Sequence, residues 1–495
     1  MTLRIAYAGT IQLIAQFATL ITGLIFVTIV TRNLPIEDFG LWQVLGSSIG
    51  LLLLPLAPLN YWTQRYASRG HDVGKTAVIA ALISIPILII TYITFVFTAS
   101  SILSSVMIFV LIYSIQIPAL CFWEVTKRIT LAYKPEYLGY ATIALEVGKV
   151  TAAYYTISIL HLGLLGAILS LAFGQFLQLI LIFYVIRPKI KGKFQGYVIK
   201  QWYRASLIPI MQSLVSRLSI TDAIIVSLIL KSTTPVAFFQ ASRIFALIVR
   251  YSETFLRVLY PKLIRDSKNE DITLTLRLQS VIGIPLAVGA FSMAEPLLGI
   301  LGEQYVAAVN IMRILVILAI VEGIEYFMWN ILAGTDKVDE KIEELNFKKL
   351  KHSWLVKLPI MDLTKSMAYF AILITIMYLF GDIVDDITLG EYWAITALST
   401  TTVLTVYKYV LARKAIYFEI PSLSIIKYSF AGIIMAGFLY VYQELIPLTG
   451  TSVGSIISYI IPPGFISVLI YGIIVLSIDS FIRESTIDFI KEIRS

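Results

Sequence analysis

Two stretches decide the class of the fold: SLIPIMQSLVSRLSITDAIIVSLIL at residues 206–230 and VAFFQASRIFALIVRYSETFLRVLY at residues 236–260. Each is mostly apolar and is longer than the ~20 residues that a helix needs to cross the hydrocarbon core of a bilayer. The few residues that separate them leave room for little more than a turn, which we place near Thr233. The sequence therefore predicts a helical hairpin that spans a membrane.

The predicted hairpin carries arginines at membrane depth, where each costs about 2.5–3.5 kcal/mol to insert. Arg243, Arg250 and Arg257 of its second helix are evenly spaced by seven residues. Seven steps of about 100° bring an α-helix back to within about 20° of its starting direction, so the three should share one face. Because such a row would not insert against lipid, we predict that it faces protein or a water-filled cavity. Our hypothesis is that it holds an anionic group inside a transporter.

Acidic residues of the hairpin can be paired with these arginines by depth. Asp222 of the first helix would face Arg243 of the second as a buried ion pair. Glu253 can reach Arg250 or Arg257 along its own helix. These contacts do not neutralise all the arginines of the hairpin, so positive charge would remain for a ligand. The alternative is that every charge belongs to a structural pair between packed helices.

The composition is that of a polytopic membrane protein. Of the 495 residues 58% are hydrophobic and 14% are charged, whereas a soluble domain carries about 25% charged residues. The net charge of +8 therefore indicates how the chain is oriented in the membrane, because lysine and arginine are enriched in cytoplasmic loops. No nucleic-acid partner is expected. The single cysteine, Cys121, excludes an internal disulfide. Three scattered histidines offer no metal cluster, so we predict no cofactor.

The alternation of apolar runs and basic segments predicts an all-α polytopic membrane protein of about 14 transmembrane helices. With the N-terminus inside, 31 of the 39 lysine and arginine residues fall in inner segments, Lys408 among them, and 2 fall in outer segments. This asymmetry predicts a multi-pass protein of the cell membrane with both termini in the cytoplasm. The spans are placed at 9–31, 40–61, 76–97, 101–125, 140–160, 163–186, 206–230, 236–260, 278–297, 306–332, 366–381, 392–411, 427–445 and 457–479.

The spans group into parts. We predict an N-terminal lobe of helices 1–6 at residues 1–186 and a C-terminal lobe of helices 7–12 at 206–412, joined by a basic cytoplasmic linker at 187–205. Helices 13–14 and a cytoplasmic tail occupy 413–495. The linker mixes lysines with aromatic residues, which is typical of a helix lying at an anionic membrane surface; the alternative is a solvated linker.

The longest loop, at 334–363, is expected to form a short charged cytoplasmic helix, acting either as a connector or as a regulatory element.

Two further pairs of charged residues lie within predicted spans. Glu322 and Glu325 of span ten are three residues apart, and two carboxylates on one buried face cannot both ionise cheaply. We predict a site for a coupling Na+ or H+; the alternative is that both lie near the inner mouth, solvated or paired with a lysine. Glu146 and Lys149 of span five are also three apart and are predicted to form a structural pair.

The first two spans are uncharged but contain polar residues. Gln12 and Gln16 are four residues apart and give span one a polar face. Span two carries Pro55 and Pro58 next to Asn60, which predicts a bent helix. Bent helices of transporters line the pathway, so these polar residues are candidates for it. The alternative is that the glycines of span two serve close helix packing.

Enzyme signatures are absent from the sequence: it contains no P-loop, no dinucleotide-binding fingerprint, no G-x-S-x-G and no H-E-x-x-H. We therefore predict that the protein is not an enzyme. Transport without an ATPase domain implies a secondary or potential-driven carrier.

Several short motifs resemble the Wzx-type polysaccharide flippases, which belong to the multidrug/oligosaccharidyl-lipid/polysaccharide exporter superfamily. Thr31-Arg32-Asn33-Leu34-Pro35 and Glu37-Asp38-Phe39-Gly40 resemble the opening of that family. Gly302-Glu303-Gln304-Tyr305, Ala307-Ala308 and Arg313-Ile314-Leu315 resemble its entry to span ten, and Leu332-Ala333-Gly334 resembles the exit. Leu301 stands where an aromatic residue is common, and Gln304 stands where glutamate is expected. The last four spans carry no such motif.

The resemblance implies two six-helix lobes related by pseudo-twofold symmetry, with two additional C-terminal helices. It implies a substrate that is a polyprenyl-type lipid carrying an oligosaccharide on a phosphate or pyrophosphate, moved outward by alternating access. Membrane lipids and enzymes of glycan assembly are the expected partners, and a monomer is expected. A guanidinium fork suits phosphate geometry and stays charged at every relevant pH.

These considerations assign roles to particular residues. The predicted phosphate-binding residues are Arg32, Arg217, Arg243, Arg250 and Arg257, with Asp222 and Glu253 as structural or gating partners. Glu322 and Glu325 are the predicted ion-coupling residues, and Gln12, Gln16 and Asn60 the predicted pathway-lining residues.

Two other functions compete with the flippase. A MATE-like cation-coupled multidrug exporter would need carboxylates in an apolar cavity for its cationic substrates, which the arginine excess of span eight argues against. A membrane-bound glycosyltransferase or ligase would need a large loop with catalytic acids outside the membrane. The longest loop is lysine-rich and internal.

Overall fold

Every regular element among the described residues is a helix. The computed structural model describes residues 2–68, 70–98, 107–204, 206–218, 221–255, 269–336 and 353–484. The chain forms two compact units, Met1–Ala237 and Phe238–Ser495. The lobe boundaries that the sequence suggests around residues 187–205 and at 412 stay predictions.

The first unit contains eleven helices in its described residues and the start of a twelfth. They are α1 (Thr2–Asn33), α2 (Ile36–Leu52), α3 (Ala57–Ser68), α4 (Gly74–Thr98), α5 (Met107–Tyr113), α6 (Gln116–Tyr133), α7 (Glu136–Ala153), α8 (Gly163–Ile190), α9 (Gly196–Arg204), α10 (Leu207–Leu218), α11 (Asp222–Leu230) and α12 (Thr234–Ala246). A π-helix, Tyr154–Ile159, extends α7. The boundary between the units falls within α12.

The second unit continues with longer helices. After the 3₁₀ helix Leu247–Phe255 come α13 (Asn269–Ser292), α14 (Ala294–Leu301), α15 (Val309–Gly334), α16 (Trp354–Phe380), α17 (Asp386–Ala415), α18 (Ser422–Leu445) and α19 (Val453–Ile478). A second 3₁₀ helix, Glu303–Ala308, joins α14 to α15.

Eight segments of the described chain are long and apolar enough to cross a bilayer, and this confirms a multi-pass membrane protein. They are Ile36–Ser68, Gly74–Thr94, Gly163–Ile190, Glu270–Ser292, Glu303–Gly334, Val356–Phe380, Ser422–Leu445 and Val453–Ile478. The number of fourteen spans stays a prediction, and the turn placed near residue 100 lies outside the described residues.

Close helix contacts and one buried ion pair hold the first unit together. Gly174 of α8 lies against the backbone of α7, where an added Cβ would come within 2.6 Å of the carbonyl oxygen of Leu145. The predicted pair of Glu146 and Lys149 is confirmed, with 2.8 Å between Oε2 and Nζ. Glu146 also accepts a hydrogen bond of 2.7 Å from Thr22, so the pair ties α7 to α1.

The bend predicted in the second span is confirmed. The α-helix stops at Leu52, the residues Leu54–Leu56 form a 3₁₀ turn, and α3 begins at Ala57. Pro55 explains the break because it has no N–H to donate and its ring clashes with the carbonyl of an α-helix four residues earlier.

The central hairpin departs from the two continuous α-helices predicted for it. Its turn is where we placed it, between Leu230 and Thr234, but the first helix is not continuous, because Thr221 is a turn residue directly before α11. The second becomes a 3₁₀ helix at Leu247. Over the four steps to Arg250 this turns the chain about 80° further than an α-helix would. Arg243 and Arg250 are therefore about 60° apart around the helix axis instead of the predicted separation of about 20°, so the face that they share is wider than predicted.

The span predicted at 366–381 is also corrected, because α16 begins at Trp354. The longer helix contains Asp362 and Lys365, and both are paired with charges on neighbouring helices. A charged residue can lie within a spanning helix when its partner lies there too. The short charged helix predicted for the loop before it falls mainly on residues 337–352, which lie outside the described residues.

The last two helices are fastened by a buried carboxylate. Asp479, directly after α19, accepts a hydrogen bond of 2.8 Å from the hydroxyl of Tyr428 on α18. Its other oxygen accepts the amide N–H of Phe481 at 3.1 Å. Burial raises the pKa of Asp479, but the bonds from Tyr428 and the amide of Ile482, with the charge of Arg277, bring this pKa below its ordinary value.

We expect the Asp479→Asn variant to lose about 1.5–3 kcal/mol of stability at neutral pH, because the amide is uncharged and has one acceptor oxygen where the donors of Tyr428 and Phe481 use two. A carboxyl whose native pKa is lowered stabilises the fold above its ordinary pKa and loses this contribution as the pH falls through the native pKa. The difference between the variant and the wild type should therefore shrink in acid. Thermal unfolding of the purified protein at stepwise lower pH measures it. Asp382→Asn, at an exposed position, is the control; equal melting temperatures at neutral pH would contradict the expectation.

Candidate functional site

The first unit contains a cavity of about 300 Å³ beside the break in the second span. The break, α3, α6 and α10 form its walls. The lining residues are Leu53, Leu54, Ala57, Asn60, Tyr61, Gln64, Glu124, Lys127, Arg128, Pro209, Ser213 and Arg217.

Helical periodicity explains which residues reach the cavity. On α6 the lining residues Glu124, Lys127 and Arg128 are spaced i, i+3, i+4, so they share one face. On α3 the spacing is i, i+3, i+4, i+7 from Ala57 to Gln64. Each helix therefore presents one polar stripe to the same space.

Arg217 of α10 is the predicted phosphate-binding residue that reaches this cavity. Its Nη1 donates a hydrogen bond of 2.6 Å to the carbonyl of Gly50, in the last turn of α2. Carbonyls in a last helical turn have no partner within the helix, so the break in the second span supplies this acceptor. The bond anchors the guanidinium, which has five N–H donors, and leaves others for a ligand.

Glu124 is the acidic residue among the lining residues. It lies 3.7 Å from Nη2 of Arg217 and accepts a hydrogen bond of 3.2 Å from Asn60. Lys127 and Arg128 are near Glu124 in the sequence, but the structure joins Glu124 to residues distant in the chain. The distance to Arg217 is that of a loose ion pair, so Glu124 only partly offsets the positive charge.

The other cations of the cavity are Lys127 and Arg128. Arg128 donates from Nη1 to the side-chain oxygen of Gln64 at 2.8 Å, while its buried Nε makes no hydrogen bond within the described part of the chain. Lys127 lies 5.9 Å from the ring centre of Trp123. The lining thus holds three cationic side chains against one carboxylate. Such an excess in a confined space attracts an anion with several oxygen acceptors.

Arg250 of the second unit is compensated by two carboxylates. Its Nε and Nη2 bind Glu253 at 2.7 and 3.2 Å, and its Nη1 lies 3.4 Å from Glu322. Of the two partners predicted for Glu253, Arg250 is confirmed, and Arg257 lies outside the described residues. The uncompensated charge expected near Arg250 is therefore not found among the described residues, because Glu322 approaches from α15.

Glu325 belongs to a second ionic cluster of this unit. Lys408 of α17 is fully buried and donates to Glu325 of α15 and, at 2.6 Å, to Asp362 of α16. Lys365 lies 3.7 Å from the other oxygen of Glu325. Glu322 and Glu325 thus each contact a cation. For Glu325 the cation is a lysine, as in the alternative to an ion-coupling site that the sequence also allows. The assignment of Lys408 to a cytoplasmic segment is corrected, because its side chain is buried among helices inside the protein.

The remaining predicted residues are dispersed. Arg32 lies in the last turn of α1 and Arg243 in the last turn of α12; neither lines the cavity of the first unit. Asp222 is buried at the start of α11, where it accepts the amide of Ala223. Asn60 lines the cavity, as a pathway residue would. The side chains of Gln12 and Gln16, and all of Arg257, lie outside the described residues. The roles of all these residues stay predictions.

Lys127, Arg128 and Gln64 are cavity residues that the sequence analysis missed. A signal existed: the spacing from Ala57 to Gln64 matches one face of a helix. The predicted second span ends at residue 61 and so contains only part of this pattern, whereas α3 continues to Ser68. The sequence does not distinguish the basic pair on α6 from ordinary cytoplasmic charge, because the two have the same composition.

Comparison with known proteins shows the fold. No protein-family model matches the sequence, and no curated protein matches it. Among solved structures, the lipid II flippase MurJ in an inward closed conformation is similar, with a TM-score of 0.69 and 14% identity over 96% of this chain and 99% of that chain. A multidrug resistance MATE family transporter of the MOP superfamily, in an inward-facing conformation, has a TM-score of 0.58 and 13% identity over 80% and 95% of the two chains. A MATE in complex with MaD5 has a TM-score of 0.53 and 12% identity over 83% and 95%.

These likenesses confirm the predicted fold class, an all-α polytopic membrane protein with the fold of MOP-superfamily transporters. The Wzx-type specificity suggested by short motifs stays a prediction.

Proposed function

We propose that this protein is a flippase that moves a polyprenyl-(pyro)phosphate-linked oligosaccharide across the cell membrane by alternating access. The observation that carries the proposal is the cavity of the first unit, where Arg217, Lys127 and Arg128 face a single carboxylate. The (pyro)phosphate would bind there, while the polyprenyl chain stays in lipid.

Charge and fold support this choice of substrate. A phosphate offers several oxygen acceptors, and guanidinium groups bind them through paired N–H bonds. MurJ, a lipid II flippase, has a TM-score of 0.69 to this chain, against 0.58 for the MATE family transporter. With both termini in the cytoplasm, a negative interior would favour outward movement of an anion by about 2.3 kcal/mol per charge per 100 mV.

A MATE-like cation-coupled multidrug exporter is the second candidate, and the fold is common to both. A cationic drug would need carboxylates free to receive it. In the described part of the second unit, Glu253, Glu322 and Glu325 each contact a cation instead. Coupling to Na+ or H+ through Glu322 and Glu325 remains part of the proposal, and it would require their cations to be displaced.

Binding of a lipid pyrophosphate to the purified protein tests the proposal. We expect farnesyl pyrophosphate to bind and farnesol not to bind, and Arg128→Gln to weaken binding about tenfold, as for loss of a charge-assisted hydrogen bond. Arg65→Gln is the matched control, because Arg65 is exposed on α3 and does not line the cavity.

Three results would count against the flippase: equal binding of farnesol, tighter binding of a lipophilic cation, or equal losses in the two arginine variants. If the expected binding is found, mass spectrometry of lipids that co-purify with the protein would identify the oligosaccharide carrier directly.

A further inference from the structure

A strongly basic surface follows the spanning helix α8. Between residues 187 and 204 there are six lysines and arginines and no acidic residue. All six side chains are exposed. We call this set the basic surface: Arg187, Lys189, Lys191, Lys193, Lys200 and Arg204.

Exposed aromatic rings lie among these cations. Phe194, Tyr197 and Tyr203 are 48%, 66% and 41% exposed. Rings and lysines together are typical of the headgroup layer of a bilayer, where the ring lies at the apolar boundary and the cation meets the phosphate. A surface facing only water would gain nothing from exposing three rings within ten residues.

The opposite face of α9 anchors it to the first unit. Val198 and Trp202, one turn apart, are buried, and the ring of Trp202 lies 6.0 Å from that of Tyr66. The hydroxyl of Tyr203 donates to the carbonyl of Pro55 at 3.2 Å. These contacts give α9 a defined orientation, so that Tyr197, Lys200 and Arg204, at i, i+3 and i+7, share the outward face.

We propose that the basic surface binds the anionic headgroups of membrane lipids, with α9 docked in the headgroup layer. Its cations begin in the last turn of α8 and therefore lie where a spanning helix leaves the bilayer. The absence of acidic residues between 187 and 204 matches a negative lipid surface. The exposed rings favour lipid over an acidic protein as the occupant. The inference does not depend on which substrate is transported.

Docking has a structural consequence for the cavity. Tyr203 bonds to Pro55, in the break between α2 and α3, and Leu54 beside it lines the cavity. A bound anionic lipid surface would hold α9 in place and so stabilise this wall of the cavity.

A fluorophore on the outward face tests the docking in the full-length protein. Gln201 is exposed and lies between Lys200 and Arg204, and the native Cys121 is buried, so a Gln201→Cys variant can be labelled selectively. In nanodiscs, replacing phosphatidylcholine by phosphatidylglycerol should shift the emission to the blue and increase quenching by headgroup-labelled lipid about threefold. Added salt should reverse the change because it screens the attraction.

Charge reversal supplies the matched comparison. Lys193→Glu with Lys200→Glu should reduce the response to phosphatidylglycerol about tenfold. Arg413→Glu with Lys414→Glu makes the same change in charge at exposed positions elsewhere and should leave the response intact. Each protein is first shown to be monodisperse by size-exclusion chromatography.

Three results would overturn the inference. One is equal quenching in the two lipids. Another is the same response from a label at Leu160→Cys, which lies just before the first residue of α8 and so at the end of that helix away from the basic surface. The third is an equal shift caused by a soluble acidic peptide in phosphatidylcholine nanodiscs, since that would identify an acidic partner instead.

Discussion

Lys408→Ala is expected to lower the free energy of unfolding by about 3–5 kcal/mol, the range found when one partner of a buried ion pair is removed. Lys408 is fully buried and donates to Glu325 and Asp362, which come from two other helices. Without the ammonium group, Asp362 would lose the cation that it contacts at 2.6 Å. The side chain that joins α15, α16 and α17 through ion pairs would also be lost.

Thermal unfolding in detergent, followed by fluorescence, measures this loss. Lys414→Ala is the control, because it removes an exposed lysine from the same helix and should change stability little. Combining Lys408→Met with Asp362→Asn should recover much of the stability, since Glu325 then keeps Lys365 as its cation and the cluster contains no uncompensated charge. If Lys408→Ala unfolds at the wild-type temperature, the buried pair is not what holds these helices together.

Arg217→Ala is expected to reduce translocation of the lipid-linked oligosaccharide by about two orders of magnitude, as for removal of one partner from a desolvated charge pair worth about 2–5 kcal/mol. Arg217 is the cavity cation that is anchored by backbone, through Gly50 at 2.6 Å, and it partly balances Glu124. Without it the cavity would keep two cations and would leave Glu124 to repel a phosphate. Arg217→Lys should retain part of the activity, because it keeps the charge but loses the fork.

Translocation can be measured in vesicles that contain the purified protein and a fluorescent lipid-linked saccharide. The Arg250→Ala variant distinguishes the role of Arg250 from that of Arg217. Arg250 already contacts two carboxylates, so its loss should act through stability, at an unchanged transport rate per folded molecule. Activity lost in Arg250→Ala and kept in Arg217→Ala would move the anion site to the second unit and contradict the assignment.

Local features of the chain were predictable because their physics involves few residues. Hydropathy and helix length indicate a membrane protein, since a bilayer needs about 20 apolar residues in a row. Pro55 breaks the second span through its own missing N–H. Glu146 and Lys149 pair because three residues bring side chains to the same face of a helix. Neither of the last two features requires knowledge of the neighbouring helices.

The partners of the charged residues could not be predicted in the same way. Sequence proximity pairs Glu124 with the adjacent basic residues, but its contacts are Asn60 and Arg217, from two other helices. The even spacing of Arg243 and Arg250 places them within about 20° of each other only on a continuous α-helix, and the change to a 3₁₀ helix, which separates them by about 60°, depends on packing.

Sequence alone determined that this chain crosses a membrane as helices and carries arginines where lipid would reject them, because both follow from transfer free energies of individual residues. Tertiary structure decided which arginines remain available to a ligand. A charge is compensated by whatever approaches it within a few ångströms, and that depends on how separate helices pack: Glu322 reaches Arg250 from α15, while Arg217 has only the distant Glu124 as a carboxylate partner among the described residues.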